Sequence, residues 1–122
     1  MSGGGVVLVV DDDAAIRDMV RDALELDGYR VVTAPDGAAA LAALERLEPG
    51  LVLLDMRMPV LDGWGFSRAY RERGGHAPLV VMTAAESAER WRAEIGADGC
   101  LAKPFDLDAL YGVVGRFYGA AA

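Results

Sequence analysis

Five short apolar runs punctuate the chain: Val6–Val10, Tyr29–Thr33, Leu51–Leu54, Leu79–Met82 and Gly99–Ala102. Most are unbroken and rich in β-branched residues, the pattern of strands covered on both faces. The segments between them carry helical spacing. Asp13 is placed to cap a helix from Ala14 to about Asp27 with Ile16, Met19, Val20, Ala23 and Leu24 on one face, and Gly28 stops it. Asp36-Gly37 opens an Ala-rich helix over Ala38–Leu47, closed by Pro49-Gly50. Further helices are predicted over about Asp62–Arg73, Ser87–Ile95 and Leu107–Tyr118. Repeated strand–helix alternation implies βαβ units and a parallel sheet with helices on both faces. The fold class expected is α/β: a doubly wound five-stranded parallel sheet of order 2-1-3-4-5, flavodoxin-like. No repeat, low-complexity tract or long linker interrupts it. One domain over residues 6–118 is expected, between a flexible N-terminal tail (1–5) and a C-terminal tail (119–122).

A chain of 122 residues is long enough to bury roughly two thirds of its unfolded surface without staples. Its 53% hydrophobic and 25% charged residues exclude disorder over most of its length. The single cysteine, Cys100, excludes an internal disulfide framework and a CxxC site. The apolar runs are far shorter than a membrane span, and the first residues carry no positive n-region. The net charge of −7 disfavours direct binding to a phosphate backbone. A cytoplasmic protein with no membrane and no nucleic-acid partner is therefore expected. The basic residues are skewed: eleven are Arg and one is Lys, Lys103. A lone lysine marks a position where a guanidinium does not substitute for an ammonium, unless the skew is coding bias alone.

In an open parallel sheet, ligands bind beyond the carboxyl ends of the strands. Asp11, Asp12 and Asp13 follow the first strand, Asp55 the third, Thr83-Ala84 the fourth and Lys103-Pro104 the fifth. The second, an edge strand in the expected order, is followed by unreactive Ala34-Pro35. Each residue alone has a structural explanation: aspartate after a strand is ordinary turn chemistry, and Asp13 reads best as a cap. Their convergence on one crevice points to function. Crowded carboxylates repel one another and raise at least one carboxyl pKa unless a cation sits between them. A hard, oxygen-seeking ion such as Mg²⁺ fits, and no His or Cys lies nearby to suggest zinc. Carboxylate-held Mg²⁺ with an ammonium and a hydroxyl suits phosphoryl transfer. No phosphate-cradling glycine loop is present, so ATP is not the expected direct donor. A carboxylate can itself attack phosphorus, and Asp55, on the central strand, is the best placed.

With these residues in view, the chain resembles the response-regulator receiver domains of two-component signalling, over about Val6 to Phe117. The motifs are Val9-Val10-Asp11-Asp12-Asp13, Leu53-Leu54-Asp55-Met56-Arg57-Met58-Pro59, Asp62-Gly63, Met82-Thr83-Ala84 and Lys103-Pro104-Phe105. The resemblance implies that Asp55 accepts a phosphoryl group from a phosphohistidine on a sensor kinase or histidine phosphotransfer protein, switching the binding of a downstream protein. It implies direct Mg²⁺ ligation by Asp12 and Asp55, with Asp11 acting largely through water and the main-chain carbonyl of Arg57 as a further ligand. Thr83 and the amide of Ala84 would contact the phosphoryl oxygens, and Lys103 would neutralise their charge. Such a chain is a signalling domain and not an enzyme, catalysing only its own aspartyl phosphorylation and dephosphorylation. The family usually has a cis peptide at the position of Lys103-Pro104.

Two features depart from the family pattern. Cys100 stands where an aromatic usually precedes the lysine by three residues, and cysteine is too small to report the same inward motion. The stretch from Thr83 to Gly96 is about two residues shorter than usual, a change a surface connection tolerates. These departures support a rival reading, a receiver-shaped adaptor that works without phosphate. A second rival is an aspartate-nucleophile phosphohydrolase with Asp11 as nucleophile and Asp13 as acid/base, opposed by the short chain and the lack of an acidic pair after Lys103. His76 is expected to be an exposed loop residue, and Trp64 and Trp91 packing residues. Gly112 and Gly115 are expected to weaken the last helix.

Overall fold

The computed structural model describes residues 5–118; the N-terminal tail, Gly5 apart, and the C-terminal tail lie outside the described residues. Five strands, β1 (Val6–Val10), β2 (Arg30–Ala34), β3 (Leu51–Asp55), β4 (Leu79–Ala84) and β5 (Gly99–Lys103), alternate with five helices. These are α1 (Ala14–Leu26), α2 (Gly37–Ala43), α3 (Gly63–Glu72), α4 (Ala85–Ile95) and α5 (Leu107–Phe117). The sheet is parallel throughout, in the expected order β2-β1-β3-β4-β5.

Every residue of β1 and β3 is buried, which is why those runs are continuous rather than alternating. Their side chains divide by parity. Leu8, Val10, Val52, Leu54 and Val81 pack with Ala40 of α2, Phe66 and Tyr70 of α3 and Trp91 of α4. Val7, Val9, Leu51, Leu53 and Met82 face Val20, Ala23 and Leu24 of α1 and Leu110 and Val114 of α5. The sheet thus separates two apolar cores, each closed by its own helices.

The boundaries shift where hydrogen bonding outweighs hydrophobicity. β4 continues past its apolar run because Thr83 pairs with Ala102 and Ala84 with Lys103. β2 begins and ends one residue later than the apolar run, in register with all of β1. α2 ends at Ala43 instead of Leu47. There Glu45 and Arg46 donate to Ala42 and Ala43, a tightened turn, before Gly50 donates to the Val6 carbonyl and aims the chain into β3. α4 starts at Ala85, two residues earlier than its pattern suggested, with no loop between it and β4.

Asp13, Asp36, Asp62 and Asp106 each accept an N–H from the first turn of the helix they precede. Gly112 and Gly115 lie inside α5 with open space where a Cβ would stand, and neither has a positive φ. Gly112→Ala and Gly115→Ala are each expected to stabilise the protein by about 0.5–1 kcal/mol, read from the urea midpoint at unchanged slope. A loss of stability would show that something packs on that face.

Candidate phosphoacceptor site

The register builds the site. Val10 lies opposite Leu54 across β1 and β3, so Asp11 and Asp55 leave the sheet side by side at its carboxyl edge. Asp55 pairs with Met82, which sets Thr83 one step beyond on β4, and Ala84 pairs with Lys103 at the end of β5. Residues from four strands therefore meet because four parallel strands end together.

Asp11 is wholly buried and pinned on every side. Its Oδ1 accepts the Asp13 amide at 2.9 Å, its Oδ2 accepts Lys103 Nζ at 2.7 Å, and its carbonyl accepts Arg17 Nη1 at 2.8 Å. Lys103 Nζ also stands 3.7 Å from Asp55 Oδ1, so the single ammonium bridges the two strand ends. Asp12 is exposed, Asp55 and Thr83 are buried, and Ala84 and Arg57 are exposed. The Lys103-Pro104 peptide is cis. Asp11, Asp12 and Asp55 each offer one carboxylate oxygen within 4.8 Å of the others. All three donors are hard oxygens, and one small divalent ion with its waters spans that distance.

The electrostatics point the same way. The Asp55 carboxyl is pushed up from 3.8 to about 7, first by burial, then by the Asp11 charge and by a hydrogen bond and charge from Asp12. Lys103 opposes that rise and does not overcome it. The group on the central strand therefore carries an electrostatic load that a cation would relieve. The residues present suit a magnesium-type ion.

Asp13 does not join the cluster. Its carboxylate accepts Ala15 and Ile16 amides at the start of α1, which is cap duty and not acid–base duty. His76 is exposed in the loop before β4, at the opposite end of the strands from the acidic cluster, with its Nδ1 3.3 Å from the Gly74 carbonyl.

One participant, Arg17, had no signal in the sequence, and another, Gly63, stood in a motif with no role assigned to it. Arg17 reaches back from α1 to the Asp11 carbonyl, and nothing in its spacing sets it apart from Arg21. Gly63, at the start of α3, leaves no room for a side chain: a Cβ there would lie 2.5 Å from Met56 Sδ, 2.8 Å from its Cα and 2.9 Å from the Asp55 carbonyl. Its amide donates to the Met56 carbonyl at 2.9 Å. Asp62-Gly63 is thus a cap followed by a close approach to the Asp55 strand end. Gly63→Ala is expected to cost about 1–3 kcal/mol in chemical unfolding by forcing α3 off that backbone. In the same loop Val60 has φ 70, a strained conformation for a β-branched residue, within a turn closed by Leu61 donating to the Pro59 carbonyl.

Comparison with known proteins agrees. Residues 7–114 match the family described as the response regulator receiver domain. The chain belongs to the response-regulator receiver family. Among curated relatives, this receiver is 42% identical over 106 residues to the response regulator MprA of Mycobacterium sp. (strain KMS), and to the same extent to MprA of Mycobacterium leprae. Each match covers 85% of this chain and 46% of the relative, so the receiver spans about half the length of those proteins. Among solved structures it resembles chemotaxis response regulator CheY4 of Vibrio cholerae, with TM-score 0.86, 35% identity, and 93% of this chain and 98% of that one covered. It also resembles the receiver domain of sensor histidine kinase PA1611 from Pseudomonas aeruginosa PAO1, whose active-site cleft coordinates a magnesium ion. There the TM-score is 0.87 and the identity 30%, covering 97% of this chain and all of that one (100%). The receiver is a two-component signalling domain, and among its described residues no helix is long and apolar enough to cross a membrane.

Proposed function

We propose that this receiver, the domain of residues 6–118, takes a phosphoryl group onto Asp55 from a phosphohistidine of a sensor histidine kinase or phosphotransfer protein. The observation that carries the reading is the meeting of Asp55 with Asp11, Asp12 and the only lysine at one edge of the sheet. In the transfer, an Asp55 carboxylate oxygen forms a bond to phosphorus as the phosphorus–nitrogen bond breaks, and the donor imidazole leaves with the electron pair. Asp11, Asp12, Asp55 and the Arg57 carbonyl would hold Mg²⁺, and the magnesium in the PA1611 receiver supports that assignment by likeness. When bound, the ion supplies charge compensation at the phosphoryl oxygens.

The chain's own groups do the rest. Asp55 must be ionised to attack, so neutral pH is near the midpoint for the uncompensated site, and compensation by a cation shifts it to the carboxylate. Lys103 is already 3.7 Å from the reacting carboxylate and needs only a small swing to face a transferred group. Thr83, one step past the Asp55–Met82 pair, and the Ala84 amide are placed to hydrogen-bond the remaining oxygens. The phosphorylated domain then differs in its affinity for a downstream protein. It acts in the cytoplasm as a signalling module and catalyses no reaction beyond gain and loss of its own phosphoryl group. Neither a nucleic acid nor a membrane is a direct partner of the acidic domain itself.

The test is incubation with acetyl phosphate and Mg²⁺, followed by intact mass and peptide mapping. One added phosphoryl group on Asp55 is expected, absent without Mg²⁺. A group on Asp11 would support a phosphohydrolase, and no adduct under any donor would support a phosphate-independent adaptor.

A further inference from the structure

α4 is held differently from the other helices. Aspartates cap α1, α2, α3 and α5, but Ala84 at the head of α4 makes no side-chain cap bond. Of its own residues α4 buries only Ala88 and Trp91. Trp91 is the one large side chain that α4 buries, with Ala88 beside it and Ile95 packed at the edge of the same core. The Trp91 ring meets Trp64 of α3 edge-on, with centroids 5.0 Å apart, and Trp64 Nε1 donates to Glu94 one turn further along α4. Two guanidinium groups also stand by the Trp91 ring: that of Arg57, with its carbon 4.9 Å from the centroid, and that of Arg90 of α4 at 5.7 Å.

Arg57 belongs to the loop that leaves Asp55. The backbone before it is fixed, because the Met56 carbonyl accepts the Gly63 amide and Met56 is fully buried. Its exposed side chain thus runs from a point two residues past Asp55 to the Trp91 ring. On the far side, Cys100 of β5 is only partly buried against the core that holds Trp91 and carries no ring of its own. With the carboxylates uncompensated the guanidinium already lies over the ring and makes no ion pair among the described residues, so a change of charge at Asp55, two residues away, would act on it through space and displace it relative to the ring. Cation–π attraction falls quickly with such displacement.

We propose that Arg57 is a positioning residue that links the acidic site to α4, its guanidinium over Trp91 making the seating of that helix respond to what occupies Asp55. The inference rests on the reading of Asp55 as the phosphoacceptor. By reciprocity, whatever loading does to the Arg57–Trp91 contact, the contact does to loading.

The full chain labelled with 5-fluorotryptophan provides the test, since it holds only Trp64 and Trp91. Fluorine NMR follows both rings while Mg²⁺ and then beryllofluoride are added, and the bound fluoride signals report loading in the same spectrum. Calorimetry gives the Mg²⁺ affinity separately. The Trp91 resonance is expected to shift on loading. In Arg57→Gln that shift is expected to fall by about threefold or more, while Arg57→Lys, which keeps the positive charge, retains most of it. Undiminished movement of Trp91 in Arg57→Gln, with loading intact, overturns the proposal alone. Absence of both Mg²⁺ binding and fluoride adduct in the unsubstituted chain overturns the phosphoacceptor reading, and the proposal with it. A shift lost equally in Arg57→Lys would also overturn it, because a cation over the ring would then not be the link.

Discussion

Asp55→Asn is expected to abolish phosphoryl acceptance and, in metal-free buffer near pH 8, to raise the melting temperature by about 3–8 °C. The second effect follows from the site's electrostatics. The folded-state pKa of Asp55 is raised, from 3.8 to about 7, chiefly by burial and by Asp11. A group raised in this way contributes stability that is fully present below its unfolded value and is lost as pH rises through its folded value. Metal-free protein should thus lose stability between about pH 4 and pH 7, and the neutral amide should flatten that slope. Water reaches part of the site, so the stabilisation expected is on the order of 1–2 kcal/mol, below what the full shift would imply. Mg²⁺ should reverse the sign of the comparison by stabilising the carboxylate form. Binding near pH 7 should also release protons, seen as a buffer-dependent heat, and that release should vanish in Asp55→Asn. Calorimetric melting at several pH values, with and without Mg²⁺, reads all of this. An Asn variant no more stable than the parent at pH 8 would show that the carboxylates are compensated without a cation.

Loss of the Lys103 ammonium should be nearly as costly. Asp11 is fully buried, and its Oδ2 takes its contact from Lys103 Nζ at 2.7 Å. Lys103→Met leaves that charge without its cation, and a loss of about 2–4 kcal/mol is expected in metal-free unfolding, partly restored by Mg²⁺. Phosphorylation of Asp55 should slow roughly 100-fold, the usual scale for removing one preorganised charge partner. Lys103→Arg is the more discriminating change. It should keep the fold, yet slow transfer by about tenfold, because the broader planar fork needs more room beside two carboxylates and follows a growing charge less freely than a compact ammonium on a flexible stem. The rate of mass gain with acetyl phosphate measures both. Parent-like rates in Lys103→Arg would mean that any cation serves and that the lone lysine reflects coding bias.

Much of the architecture was legible before any coordinates. The unbroken runs of β1 and β3 declared strands covered on both faces, and the five-fold alternation with helices predicted the parallel sheet and its order. Boundaries were less legible. Thr83, Ala84 and Lys103 belong to strands because they pair with neighbours, a property of the partner strand that no local hydropathy registers. α2 ends early because the chain must turn back toward β3, not because its sequence stops favouring helix. At the site, Asp11, Asp12, Asp55, Thr83 and Lys103 stood out by type and by position after a strand. Arg17 and the Arg57–Trp91 contact did not, and Gly63 stood in a motif without a role, since each matters only through a residue distant along the chain.

The amino-acid order alone determined which segments are strands and helices, that Asp13 caps the first helix, and which reactive groups stand at strand ends. Those are local properties: periodicity, propensity and the identity of the next residue. Tertiary structure alone decided how the groups share their charge. Burial raises Asp55, Lys103 is held by Asp11 at 2.7 Å and by Asp55 at 3.7 Å, and Asp13 turns away to its helix. It also decided that α4 rests on Trp91 beneath Arg57. Coulombic and desolvation energies depend on distance through space and on excluded water, and neither quantity is written in the order of residues along the chain.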